Sequence, residues 1–288
     1  MISDITLGQF FPGKSPIHRL DPRTKILLAI AFIVLVFLIG TPVEFLVLLI
    51  SVIGLIICSG ISFKVIFKGI KPIIYVLIFT ALINVFMVSG DGEPLLSFWI
   101  IKIYKEGIIR AVFMTTRVIL LIVGTSVLLT YTTSPISLTD GIERLLAPLK
   151  KIGVPVHVFA MMMTIALRFI PTLIEETEKI INAQKSRGAD FSSGSLIKRA
   201  KALIPILVPL FVSSFKRADE LAIAMECRCY RGDKNRTKLV KLTYRGVDVW
   251  WFFITLLFIA IIVALKVFAP YIAEFIPAAL YNVIFYKL

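Results

Sequence analysis

The 288-residue chain is 58% hydrophobic, has a mean hydropathy of +0.92, and carries 32 Lys+Arg against 18 Asp+Glu. An apolar share this far above that of soluble domains excludes an ordinary soluble fold. The net charge of +14 then reads as basic loops gathered on one side of a membrane, not as a nucleic-acid footprint.

Residues 1–25 form a polar arm ending Ile17-His18-Arg19-Leu20-Asp21-Pro22-Arg23-Thr24-Lys25. It has no short apolar stretch followed by a small-residue cleavage site, so a cleaved signal peptide is not expected. Apolar runs follow at 26–39, 43–58, 73–88, 108–131 and 249–269. They are interrupted by Gly40-Thr41-Pro42, by a basic link with Lys64, Lys68 and Lys71, and by an acidic turn over 89–94. A spanning helix needs ~20 mostly apolar residues, so the first three runs are marginal and must borrow flanking residues. Residues 270–288 read as an interfacial helix rather than another span.

Lys and Arg set the expected orientation. They crowd the arm, the link before the third run, and the 131–248 region, which holds 19 Lys+Arg against 11 Asp+Glu. The turn between the first two runs has none. The positive-inside rule places those three regions in the cytoplasm, and the alternation of loops is consistent with that.

The 131–248 region reads as three helices. Ser134-Pro135 opens the first as cap and first helical residue. The second runs from Val156 to Arg187, with Ile170, Leu173, Thr177, Ile180 and Gln184 on one stripe. Gly188 is placed to end it in the left-handed conformation. The third runs from Leu196 to Cys229, with Phe211, Phe215, Ala218, Ala222 and Met225 on one stripe. Pro171, Pro205 and Pro209 should kink or divide these helices. The apolar stretches 156–170 and 202–215 can cross or dip into the membrane, and sequence leaves both open. The expected fold is all-α and polytopic, with about five to six membrane helices and a cytoplasmic domain of three long, kinked amphipathic helices. Residues 1–131 form the membrane domain, 132–248 the cytoplasmic three-helix domain, and 249–288 the final span with an outer tail.

Enzyme signatures are absent. There is no phosphate loop, no pair of Asp-rich motifs, and neither His18 nor His157 has a metal-ligand neighbour. The cysteines Cys58, Cys227 and Cys229 offer no disulfide framework, and the last two form a C-x-C with no second half. Arg117 is the sharpest charge within a span and therefore a candidate site. A self-contained carrier with its own substrate site is the alternative reading; Arg117, Asn84 and Glu44 would be its polar groups.

The second and third long helices close alike. A shift of 41 positions lays Ala183 on Ala224, Ser186 on Cys227, Arg187 on Arg228 and Gly188 on Cys229. An Arg fork binds carboxylates bidentately or collects carbonyls, and small neighbours permit close approach to a partner. These triplets, Ser186-Arg187-Gly188 and Cys227-Arg228-Cys229, resemble the signature motifs of the transmembrane (T) component of energy-coupling factor transporters. The resemblance extends to the arm from Pro12 to Lys25 and to Arg168-Phe169-Ile170-Pro171. Cys229 departs from the usual small residue, which leaves the second helix ending open and makes Arg231-Gly232 a further candidate. The resemblance implies a non-catalytic scaffold that binds no cofactor, with ATP and Mg held by partner subunits. It implies two cytoplasmic ABC-type ATPases gripped through Ala183, Ser186, Arg187, Gly188, Ala224, Cys227, Arg228 and Cys229, and a substrate-binding S-component membrane protein moved within the lipid bilayer. No nucleic-acid partner is implied.

Overall fold

A computed structural model describes residues 10–87, 96–98, 101–189, 191, 195–232 and 242–272. The acidic turn at 89–94 and residues 273–288 of the tail lie outside these. The helices are α1 (Pro22–Leu38), α2 (Pro42–Ser59), α3 (Phe63–Ile70), α4 (Ile74–Met87), α5 (Lys105–Thr125), α6 (Pro135–Leu145), α7 (Val156–Ser186), α8 (Leu196–Cys227) and α9 (Gly246–Ile272). One antiparallel hairpin, β1 (Leu96–Phe98) with β2 (Ile101–Ile103), interrupts an otherwise all-α chain. Two compact units result, one formed by 8–141 with 242–288 and one by 142–241.

In the first unit α1 and α2 begin where the sequence supplies a side-chain cap. Asp21 accepts from the Arg23 amide, and Pro22 takes the first helical position of α1. Thr41 and Glu44 form a reciprocal capping box for α2, which Gly60 ends at φ +69°. The supposed basic link is itself helical: α3 carries Lys64 and Lys68 and leads through a 3-10 turn at Lys71–Ile73 into α4. The third span therefore starts at Phe63, ten residues earlier than the apolar run suggests. Phe32, Leu35 and Val36 of α1, Leu48 and Val52 of α2, and Leu120 and Val123 of α5 form the core. Gly124 has no Cβ, and the Phe32 ring occupies the space where one would stand. Helices long and apolar enough to cross a membrane are Pro42–Ser59, Phe63–Met87, Lys105–Thr130, Val156–Ser186 and Gly246–Phe268.

A buried polar clamp fastens the arm to the rest of this unit. The Asp248 carboxylate, 3% exposed, accepts from the backbone amides of Asp21 (2.8 Å) and Arg245 (2.7 Å). Arg23 grips Asp21 through two nitrogens (3.0 and 2.9 Å), donates to the Leu242 carbonyl, and lies 4.1 Å from the centre of the Tyr244 ring. Lys25, 1% exposed, donates to the Thr132 carbonyl (2.7 Å) and the Thr133 hydroxyl (3.1 Å) beyond α5. Burial works to raise the Asp21 carboxyl, but the Arg23 hydrogen bonds outweigh it and hold the pKa below the ordinary carboxylate value. Its share of stability is thus present at neutral pH and lost only on acidification through that lowered pKa.

Replacing Asp248 by Ala strands two backbone donors, and a stranded buried donor costs about 1–3 kcal/mol. Asp248→Ala should therefore lower the thermal midpoint of the detergent-purified protein markedly, with Asp248→Asn falling between it and the original. Equal midpoints for all three would show that the clamp carries no load.

Candidate functional site

The second unit is built on α7 and α8. Both run unbroken, for 31 and 32 residues, so Pro171, Pro205 and Pro209 do not divide them. They pack antiparallel: Ile181 and Lys185 of α7 line one groove with Leu203 and Ile206 of α8, while Glu176 meets Arg217 at 2.9 Å. Those two charged residues are 41 positions apart, the offset of the repeat itself. In an antiparallel pair related by a local two-fold, a residue on the axis meets its own counterpart, and Glu176–Arg217 is such a contact. Eleven residues separate Glu176 from Arg187, and eleven separate Arg217 from Arg228. At ~1.5 Å per residue, each arm is ~16 Å long.

Both helix ends close by the same hydrogen bonds. At the first, the Gly188 amide donates to Lys185 and the Ala189 amide to Gln184. At the second, the Cys229 amide donates to Glu226 and the Tyr230 amide to Met225. Each is a Schellman ending, with Gly188 at φ +84° and Cys229 at φ +55°. Cys229 is the one non-glycine residue with positive φ among those described. The ending that the cysteine left open is intact, without help from Arg231-Gly232. Arg187 and Arg228 are the capping residues themselves, where a cation complements the helix dipole.

All eight residues singled out by sequence, Ala183, Ser186, Arg187, Gly188, Ala224, Cys227, Arg228 and Cys229, are exposed. Neither guanidinium has an ion pair with the described residues. The two apolar stripes differ. Ile170, Leu173, Thr177, Ile180 and Gln184 are half-buried, whereas Phe211 and Phe215 are 61% and 69% exposed. On α8 the residues turned inward include Ile206, Leu210, Arg217 and Leu221, and of the expected stripe only Met225 is half-buried with them.

The polar groups of the carrier alternative are otherwise engaged. Glu44, 1% exposed, accepts from the amides of Gly40 (2.8 Å) and Thr41 (3.2 Å). Asn84 donates back to the Thr80 carbonyl. Arg117 donates to the Ile39 carbonyl at 2.6 Å and lies 5.3 Å from the centre of the Phe45 ring. Each serves a helix end or a helix backbone. Sequence reasoning missed the bond from the Asp21 amide to Asp248 and that from Lys25 to the Thr132 carbonyl, because each joins residues more than a hundred positions apart.

Long apolar helices and a packed multi-helix core define a multi-pass membrane protein. Residues 13–239 match the family model CbiQ, described as Cobalt transport protein. Similar relatives carry the name energy-coupling factor transporter transmembrane protein EcfT. That of Clostridium kluyveri is 54% identical over 248 residues, covering 86% of this chain and 92% of its own. That of Ruminiclostridium cellulolyticum is 52% identical over 266 residues (92% and 98%), and that of Bacillus subtilis 46% over 248 (86% and 93%). The chain belongs to the EcfT family, the transmembrane T component of energy-coupling factor transporters, and is a non-catalytic subunit.

A left-handed non-glycine residue costs roughly 1–2 kcal/mol. Cys229→Gly should therefore raise the thermal midpoint, and Gly188→Ala should lower it by a comparable amount. A drop with Cys229→Gly would mean that the thiol side chain holds this end.

Proposed function

We propose that the chain is the scaffold that joins two cytoplasmic ABC-type ATPases to a substrate-binding membrane subunit for uptake of a vitamin or other micronutrient. Each arginine tip docks in a groove of one ATPase. Ala183 and Ala224, one turn before the arginines, let the helix ends approach closely, and the guanidinium forks bind carboxylates or carbonyls on the partner. Residues 132–248 act as the cytoplasmic coupling domain between the membrane parts 1–131 and 249–288. ATP and Mg belong to the partners.

The observation that carries this reading is the matched pair of exposed tips, equal in cap geometry and equidistant from the Glu176–Arg217 crossing. Two equal arms on one pivot suit two like partners. When ATP draws the ATPases together, both tips receive the same displacement, and the crossing converts it into a change of angle between α7 and α8. The exposed apolar face of α8, with Phe211, Val212 and Phe215, suits the membrane subunit that captures substrate. This is a bistable element biased by a local event.

Reversing the charge at both tips should abolish assembly: Arg187→Glu with Arg228→Glu leaves the protein inserted and folded but unable to retain the ATPases in detergent. Loss of a desolvated anchor pair costs about 2–5 kcal/mol, enough to be read directly by copurification. Undiminished copurification would refute the docking role. At the pivot, Glu176 and Arg217 are 29% and 34% exposed, so the pair contributes at most ~1 kcal/mol to stability. Glu176→Arg alone should reduce transport with the ATPases still bound, and adding Arg217→Glu should restore it. If the double reversal transports no better than the single, the pivot is not at this pair.

A further inference from the structure

Two grooves flank the contact between α1 and α9, and the coupling scheme uses neither. One, of about 350 Å³, lies between Leu27 and Ala31 of α1 and Phe252 and Ile259 of α9. The other, of about 330 Å³, lies on the far side of Leu28 and Thr255, which line both. The buried fastenings of the last helix lie toward its two ends, with Trp251, Phe258 and Ile259 packed half-buried on the core between them. Asp248 holds one end, and toward the other Ile262 is 2% exposed and Lys266 donates to the Leu38 carbonyl at 3.3 Å. Between them, from 249 to 261, no side chain is buried. The first groove is what remains between the two fastenings.

Its dimensions suit a particular occupant. From Asp248 to Ile259 is eleven residues, ~16 Å of helix, close to half of a hydrocarbon core ~30 Å thick. Spread over ~16 Å, a volume of about 350 Å³ gives a cross-section of ~22 Å². A slot of that section, open along one side, seats one extended hydrocarbon chain. An unfilled slot would forfeit dispersion contacts along its whole lining.

The mouth carries the Tyr244 ring and balanced charges, with the Asp248 carboxylate lining it and Arg23 paired to Asp21, and one further cation stands beside Asp248. Tyr244 lines it with the Arg23 guanidinium stacked above, and Arg245 is exposed and makes no ion pair with the described residues. Guanidinium and phosphate form strong, directed hydrogen bonds. We propose that this groove is a specific lipid site, holding one acyl chain of an anionic phospholipid with its phosphate at Arg245. The lipid would serve as part of the packing of α9, filling the side that the chain leaves bare.

The test uses the full-length protein, reconstituted in vesicles of mixed phosphatidylglycerol and phosphatidylcholine, extracted in mild detergent and weighed by native mass spectrometry. The expected result is one retained phospholipid per chain, enriched several-fold in phosphatidylglycerol. Ala31→Trp should fill the groove and remove it, whereas Leu46→Trp, at an exposed position of α2, should not. Arg245→Gln should erase the preference for phosphatidylglycerol while leaving the fold unchanged, because only the backbone of Arg245 holds Asp248. A photoreactive residue at Phe252 should label lipid. No retained lipid in the original protein, equal retention in Ala31→Trp and Leu46→Trp, retention without headgroup preference, or labelling of another polypeptide from Phe252 would each overturn the proposal.

Discussion

One carboxylate sets the frame of the membrane unit. Asp248 sits at the entry to the last span and ties two backbone amides, one from the arm and one from its own approach, into a single buried knot. Around it, Arg23 neutralises Asp21, and Lys25 reaches the chain just past α5. The charges are mutually satisfied, so a region that would resist burial becomes a fixed junction of the arm, α1, the end of α5 and α9. In a protein with so much unpatterned apolar surface, greasy contacts discriminate poorly between one helix packing and another. A paired polar junction has one arrangement that satisfies it and many that do not, and so it selects the register of the helices around it.

The opposite end of α1 poses the reverse problem. From Lys25 to Ile39 is fourteen residues and from Thr132 back to Arg117 fifteen, each ~21–22 Å of helix. The α1–α2 turn thus lies short of a full ~30 Å hydrocarbon thickness, while α5 continues twelve residues further to Lys105. Irregular backbone at that depth must be satisfied by the protein itself. Glu44 takes the amides of Gly40 and Thr41, Arg117 takes the carbonyl of Ile39, and Lys266 takes that of Leu38. The charges that stand out in the spans as candidates for substrate handling are the fastening of a short hairpin.

In the second unit symmetry does comparable work. A repeat of 41 residues, folded antiparallel, places a residue against its own equivalent at the crossing and sends two equivalent tips outward at equal distance. Cys229 breaks the sequence identity of the repeat without breaking its backbone: the Schellman bonds force the left-handed conformation on a residue ill suited to it. Tip geometry is therefore a property of the helix ending, and side-chain identity only sets its cost.

Much of this was legible beforehand because it is local. Helix positions, the cap at Ser134, the left-handed Gly188, the 41-residue repeat and the arginine tips all follow from hydropathy, short-range turn chemistry and comparison of one stretch with another. Family membership was legible for the same reason, since the arm and both triplets are contiguous motifs. The helical nature of the Lys64–Lys71 link was hidden by its charge, which suggests a loop although the backbone has no reason to stop. Other features needed the folded chain. Which face of α8 meets α7, what Arg117 and Glu44 bond to, the Asp248 junction and the slot beside α9 all depend on groups brought together from distant positions. No periodicity or motif records such meetings, because burial and hydrogen bonding across helices are decided only when the helices pack.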